Sequence, residues 1–180
     1  MKLVAARSIL LIIDLQERLL PAIENGERVL EHAAWLISVA RQLHIPVLFT
    51  EQYPQGLGAT APVIAKRSRP GETLQKSHFS AVAEGNLLSH PAAQRQQWVI
   101  CGTESHVCVQ QTVLDLLAAG RDVAVVDEAV GSRQNRDKEL GLQRMRQNGA
   151  EIISREMVAF EWLQQANTPE FRAVLKEFIR

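Results

Sequence analysis

The sequence predicts a three-layer α/β/α fold around a doubly wound, six-stranded parallel sheet of order 3-2-1-4-5-6, Rossmann-like in its winding. Three observations carry this. Short apolar runs without alternation, such as Ser8 to Ile13 and Trp98 to Cys101, are the pattern of strands buried on both faces. Six such runs alternate with segments of helical periodicity, as parallel strands joined by crossover helices require. The first run also ends in a carboxylate, Asp14, and in this class ligands bind outside the carboxyl ends of the strands.

Each element follows in turn. Ser8 to Asp14 is the first strand, and Glu24 to His44 is an amphipathic helix with Val29, Ala33, Leu36, Ile37, Ala40 and Leu43 on one stripe. Pro46 to Thr50 is the second strand. Glu51 to Gly71, punctuated by Pro54, Gly56, Gly58, Pro62 and Pro70, reads as a functional loop over the sheet edge. Glu72 to Lys76 is a brief third strand, after which Ser80 is placed to cap a helix from Ala81 to about Ser89. Trp98 to Cys101 is the fourth strand, ended by Gly102. A helix then opens at Cys108 and closes at Gly120, which suits a left-handed cap. Asp122 to Asp127 is the fifth strand, Asn135 to Asn148 a polar helix ended by Gly149, and Ala150 to Ile153 the sixth strand. Two helices complete the chain, the last opened by Thr168 and Pro169. Trp35 and Trp162 lie on helix faces, as core or interface residues.

Composition narrows the function. A chain of 180 residues, 46% hydrophobic and 22% charged, fits a single globular domain spanning 1–180. Its twenty basic and twenty acidic residues cancel, and its densest basic stretch, Arg133 to Lys138, is broken by Asp137. Neither a nucleic acid nor a membrane is therefore an expected partner; a small neutral or weakly charged molecule is. The apolar Ile9 to Ile13 is too short for a leader or a membrane span, so a cytoplasmic location is expected. Cys101 and Cys108, one inside a strand and one beyond its end, are poorly placed for a disulfide or a metal.

With this strand order, strands one and four flank the switch point and bring Asp14 toward Cys108. At the amino end of a helix, free N–H groups and the helix dipole ease ionisation of the Cys108 thiol. A catalytic cysteine still needs a base or a cation beside it. Asp14 supplies the base, and Lys76, at the end of the third strand, is the candidate cation. From the sheet edge its long side chain must reach inward. Gln52, Tyr53 and Phe79 are candidates to line the pocket. His106, two residues before Cys108 in a tight loop, points away from it and is read as a pocket-wall or interface residue.

Four segments carry a resemblance: Leu11-Ile12-Ile13-Asp14-Leu15-Gln16, Lys76-Ser77-His78-Phe79-Ser80, Gly102-Thr103-Glu104-Ser105-His106-Val107-Cys108-Val109 and Leu116-Leu117-Ala118-Ala119-Gly120. In order and spacing the chain resembles the isochorismatase-like cysteine hydrolases from about Ser8 to Ile153. The resemblance implies a catalytic triad of Asp14, Lys76 and Cys108. It also implies a cis peptide at Thr103–Glu104, in a loop that turns backbone N–H groups, Cys108 included, toward an oxyanion. A homo-oligomer is implied as well. Nicotinamidases of that family carry an aspartate and two histidines as metal ligands after the second strand. Here the chain reads Thr50-Glu51-Gln52-Tyr53-Pro54-Gln55-Gly56, so no metal and no cofactor is expected. The segment looks most like that of a metal-free isochorismatase-domain subgroup. Members that cleave isochorismate act on a vinyl ether and need no nucleophile, so Cys108 favours acyl transfer. The expected activity is hydrolysis of a small-molecule amide, carbamoyl or ester through a Cys108 thioester, with C–N cleavage ahead of vinyl-ether cleavage. The rival expectation is an interaction or assembly module that keeps the fold with little or no catalysis.

Overall fold

Six runs of the chain form strands: β1 (Ser8–Ile13), β2 (Val47–Gln52), β3 (Thr73–Lys76), β4 (Gln97–Thr103), β5 (Asp122–Gly131) and β6 (Glu151–Ile153). In the computed structural model, which describes residues 1–179, they pair in parallel in the order β3-β2-β1-β4-β5-β6. This is the expected order, the common one of the doubly wound class that the alternating pattern predicts. The helices are α1 (Gly26–Gln42), α2 (Pro54–Leu57), α3 (Pro62–Ala65), α4 (Gln110–Ala118), α5 (Asn135–Gln147), α6 (Arg155–Leu163) and α7 (Pro169–Phe178).

Strand periodicity divides the core into two layers. Leu10 and Ile12 of β1 pack with Val29, Leu36 and Ile37 of α1, Val158 and Trp162 of α6 and Val174 of α7. Ile9, Leu11 and Ile13 face the other way, onto Val113 and Leu116 of α4 and Met145 of α5. Each such buried side chain contributes about 1.5–3 kcal/mol, and a one-residue slip of β1 would exchange the two layers. The register of the central strand is thereby pinned from both sides. Trp35 ties the carboxyl-terminal helices to α1: its Nε1 donates to the Phe178 carbonyl at 2.7 Å, and Arg155 lies 4.7 Å over its ring.

The structure departs from the sequence expectation where polar groups find tertiary partners. β2 runs on through Glu51 and Gln52, which pair with Gln75 and Lys76, because Thr60 donates to the Glu51 carboxylate and Lys76 to the Gln52 amide. The segment expected to be one long loop after β2 holds the short helices α2 and α3. β5 continues to Gly131 after a register shift, pairing Val130 and Gly131 with Gly102 and Thr103. No helix forms over residues 81–89. Ser80 Oγ donates to Asp115 of α4 at 2.6 Å, Thr112 takes the Ala81 N–H, and Gly85 turns the chain at φ 92°. Among the described residues no helix is long and apolar enough to cross a membrane.

Gly102 sits where β4 crosses the end of β1. Its φ is 131°, and a Cβ there would lie 2.0 Å from the Ile13 carbonyl oxygen. Both obstacles are backbone and cannot rotate away. Gly102→Ala is expected to destabilise the fold by about 3 kcal/mol or more, read as a lowered denaturant midpoint.

Candidate active site

The polar ends of β1, β2 and β3 converge on one buried cluster. Asp14 leaves β1 at φ 52°, a conformation Asp tolerates better than most residues. Its N–H donates to the Thr50 carbonyl (3.1 Å), and its own carbonyl accepts from Thr103 Oγ1 (2.7 Å). The side chain is held as firmly: Thr50 Oγ1 donates to Oδ1 at 2.7 Å and Lys76 Nζ to Oδ2 at 2.9 Å. The Asp14 and Lys76 side chains are 0% and 1% exposed.

Lys76 makes the reach from the sheet edge. It lies beside Gln52 in the β3–β2 register, and its ammonium extends across β2 to β1. Burying an ammonium costs several kcal/mol unless its donors are met. Here Nζ also finds Gln52 Oε1 at 2.6 Å, the Phe79 carbonyl at 2.9 Å and the His78 carbonyl at 3.3 Å. Residues 77–80 thus wrap the lysine. Glu84 Oε2 fixes that wrap by accepting from the Ser77 and His78 N–H groups (3.0 and 2.9 Å) and from the His78 ring (2.7 Å). These donors pull the Glu84 carboxyl down to about 2.

Cys108 lies in a single π-helical turn, Ser105–Val109, that precedes α4, and the Val109 N–H donates five residues back to the Glu104 carbonyl at 3.1 Å. Cys108 is 5% exposed, with Sγ 3.9 Å from Gln52 Oε1. Its pKa is pushed up to about 12, first by burial and then by the Asp14 carboxylate, against an opposing pull from Lys76. This corrects the expectation of a thiol made acidic by a helix end. A helix terminus contributes at most about 2 kcal/mol, whereas desolvating an anion costs more, and the carboxylate adds to that cost. Cys101 is fully buried in the core, and burial raises its thiol as well.

Asp14, Lys76, Cys108 and Gln52 are therefore brought together. Thr103–Glu104 is a cis peptide, and Glu104 is paired with Arg133 at 2.5 Å. Tyr53 and Phe79 follow β2 and β3 and are 57% and 52% exposed. The His106 ring bonds Ser132 Oγ at 2.9 Å and faces Asp137 of α5 at 3.9 Å. Gln52 is more than pocket lining: its amide bridges Lys76, the thiol and the Ser77 carbonyl. Two residues given no role from sequence support it. Thr50 orients Asp14, and the buried Gln16 side chain accepts from the Gln52 N–H (2.8 Å) and donates to the Gln52 carbonyl (2.9 Å). Both are polar residues inside or just after apolar runs, which is the signal that marks them. Among the described residues no three of His, Cys, Asp or Glu converge as a metal site.

A doubly wound sheet with an acid, a lysine and a thiol packed at its switch point defines the class of site. The chain belongs to the isochorismatase family: the family described as Isochorismatase domain matches residues 8–157. It is 38% identical over 170 residues to isochorismatase domain-containing protein 2A of Mus musculus, covering 94% of this chain and 81% of that one. The MAR1 ribonuclease structure from Caenorhabditis elegans superposes with a TM-score of 0.90 at 32% identity, covering 100% and 93% of the two chains. The fold is shared too with the YcaC gene product of Escherichia coli, an octameric hydrolase of unknown specificity (TM-score 0.90, 20% identity, 99% and 91% covered). Members of the family are generally hydrolases.

Two outcomes follow from this geometry. In the free protein, alkylation of Cys108 by iodoacetamide is expected to accelerate with pH and to be still rising at about pH 10; a plateau near neutrality would contradict a thiol held protonated by burial. Lys76→Met strands the Asp14 carboxylate and is expected to cost about 3–5 kcal/mol in urea denaturation, with Asp14→Asn added to Lys76→Met recovering part of the loss.

Proposed function

We propose that the chain is a cysteine hydrolase that cleaves a small-molecule amide, carbamoyl or ester through a thioester on Cys108. The observation that carries this reading is the buried Asp14–Lys76 pair joined through Gln52 to the Cys108 thiol. A free thiolate there would meet the Asp14 carboxylate at close range. If the proton passes to Asp14 as sulfur attacks, that repulsion vanishes and the new anion forms on the substrate carbonyl oxygen instead. Activation is thus coupled to attack, and net charge in the buried cluster is unchanged throughout.

The steps follow. The Cys108 proton moves to Asp14 while sulfur bonds to the substrate carbonyl carbon. Backbone N–H groups of Cys108 and of the loop at Thr103–Glu104 receive the oxyanion. Asp14 returns its proton to the departing amine as the C–N bond breaks, leaving the thioester. Water then attacks the thioester with Asp14 as base, releasing the acid and restoring the thiol. A departing amine needs a proton and Asp14 holds one at that moment, which favours C–N cleavage. Lys76 keeps Asp14 in place, and Gln52 aligns lysine and thiol.

In the same reading the protein acts in the cytoplasm, consistent with two unpaired buried cysteines, and assembles as a homo-oligomer through surfaces that include the exposed Met157 and Phe160 of α6. Light scattering of the purified chain decides the assembly: a monomer at working concentration removes that part.

A panel of amides, carbamoyl compounds and esters, followed by intact-mass analysis, tests the chemistry. An acyl adduct on Cys108 is expected. Cys108→Ala should abolish turnover by about a thousandfold or more, and Asp14→Asn should cost about a hundredfold or more. Full activity in Cys108→Ala would falsify the scheme.

A further inference from the structure

Lys66-Arg67-Ser68-Arg69, three cations in four residues, is a shorter but denser basic run than Arg133 to Lys138. It follows α3 and lies against the last turns of α1, where Arg41 Nη2 donates to the Arg67 carbonyl at 3.0 Å and Arg67 Nε to Ser38 Oγ at 3.4 Å. Between the two is a groove of about 410 Å³, lined from α1 by Ile37, Ser38, Arg41 and Gln42 and from the run by all four of its residues. Folding thus adds a fourth cation, Arg41. None of the lining residues is acidic, and none belongs to the Asp14–Lys76–Cys108 cluster.

Of the four cations, Arg41 is the one that a carboxylate neutralises. Glu72 takes both of its Nη groups, Nη1 at 2.8 Å, and also accepts the Arg69 N–H at 2.8 Å. The single charge of Glu72 is spent there. Arg67 bonds only neutral oxygens, those of Ser38 and the Val63 carbonyl. Among the described residues Lys66, Arg67 and Arg69 form no ion pair. The neighbouring sequence offers none, because no acidic residue occurs between Glu31 and Glu51 or between Glu51 and Glu72. The carboxyl end of α1 supplies about half a unit of negative charge, against three unmatched positive ones. Arg41 keeps a further donor open: its buried Nε has no acceptor among the described residues.

Cations gathered in this way repel one another, and a bound anion relieves the repulsion. Guanidinium forks and an ammonium around a concave surface suit phosphate oxygens, which accept charge-assisted bonds from several directions. A nucleic-acid strand would need a longer basic track, and the other basic run is paired off: Arg133 with Glu104, Arg136 with Glu139 and Lys138 with Asp127. One groove suits one small anion.

We propose that the groove between α1 and Lys66–Arg69 binds a small phosphate-bearing molecule with two or more negative charges. Arg67 and Arg69 hold its phosphate oxygens, Lys66 adds charge and Gln42 a neutral donor. Binding there does not depend on the chemistry at Cys108.

Calorimetric titration of the full chain with inorganic pyrophosphate, in a chloride buffer of fixed ionic strength, tests this. A Kd below about 1 mM is expected. Lys66→Ala with Arg69→Ala removes two exposed side chains that bond nothing else among the described residues, and should weaken binding by about tenfold or more. The charge reversal Arg69→Glu should weaken it likewise, Arg69→Lys should weaken it less, and Arg144→Ala on the exposed side of α5 should leave it unchanged. No binding at millimolar pyrophosphate overturns the proposal; so does a Kd that the double variant and Arg69→Glu leave unchanged, or one that Arg144→Ala weakens equally. Sulfate bound as tightly as pyrophosphate overturns the assignment to phosphate. A fluorescein-labelled RNA oligonucleotide that binds more tightly than pyrophosphate, and is lost in the same double variant, gives the groove to nucleic acid and overturns the small-ligand assignment.

Discussion

The buried ion pair between Asp14 and Lys76 is the interaction on which the rest of this structure depends. Two charges removed from water cost several kcal/mol each, and their mutual attraction offsets this only when the remaining hydrogen-bonding capacity is filled. The chain fills it from every neighbouring element: Thr50 for the carboxylate, Gln52 and the carbonyls of residues 78 and 79 for the ammonium. Polar residues therefore continue β2 beyond its apolar run, and the segment just after Lys76 folds back so that the His78 and Phe79 carbonyls meet the lysine. Ser80 and Ala81 anchor that wrap to Asp115 and Thr112 on the helix that follows Cys108. The ion pair and the thiol are thus held by one connected set of bonds.

The doubly wound class was legible in the sequence because it follows from local periodicity, which needs no distant contacts, and the observed strand order is the common one of that class. The meeting of Asp14 with Cys108 followed from that order. Lys76 was harder: its place at the end of the third strand made it the candidate cation, but periodicity puts it at the sheet edge, and only the resemblance to a family made it a triad member. Where the reading failed, a tertiary partner outcompeted a local preference. Ser80 accepts the Ala83 N–H as a helix cap would, but Asp115 and Thr112 tie Ser80 and Ala81 to α4 and no helix follows. Cys108 looks acidic until its burial and the Asp14 carboxylate are counted. The π turn and the cis peptide leave no periodic signal, because each departs from the regular spacing by which elements are recognised. Gln16 stood inside a quoted motif without a role, since its partner, the backbone at Gln52, is thirty-six positions away.

Close backbone approach is the second constraint, and it operates through glycines rather than charges. Gly102 lets β4 pass against the end of β1, and Gly141 of α5 sits where a Cβ would lie 3.0 Å from the Ser105 carbonyl oxygen. The π turn that carries Cys108 is thereby pressed between a strand and a helix. His106 adds a side-chain tether to Ser132, just past the long β5. The turn is fixed by packing on one side and by hydrogen bonds on the other, and the helix-end dipole plays only a small part in setting its chemistry.

A thiol held neutral has a consequence for selectivity in the proposed chemistry. Thiolates react with any accessible electrophile and are the form that oxidants attack, so an enzyme that stores one is exposed whenever its site is empty. In the proposed scheme sulfur becomes nucleophilic only when a proton acceptor and an electrophilic carbon are both in place. The acceptor is permanent, because Asp14 is locked by Thr50 and Lys76. The electrophile must displace whatever water reaches Cys108, which is 5% exposed. In that scheme reactivity is set by how well a ligand reaches the buried cluster. A site built in this way derives its discrimination from the same burial that makes its nucleophile weak at rest.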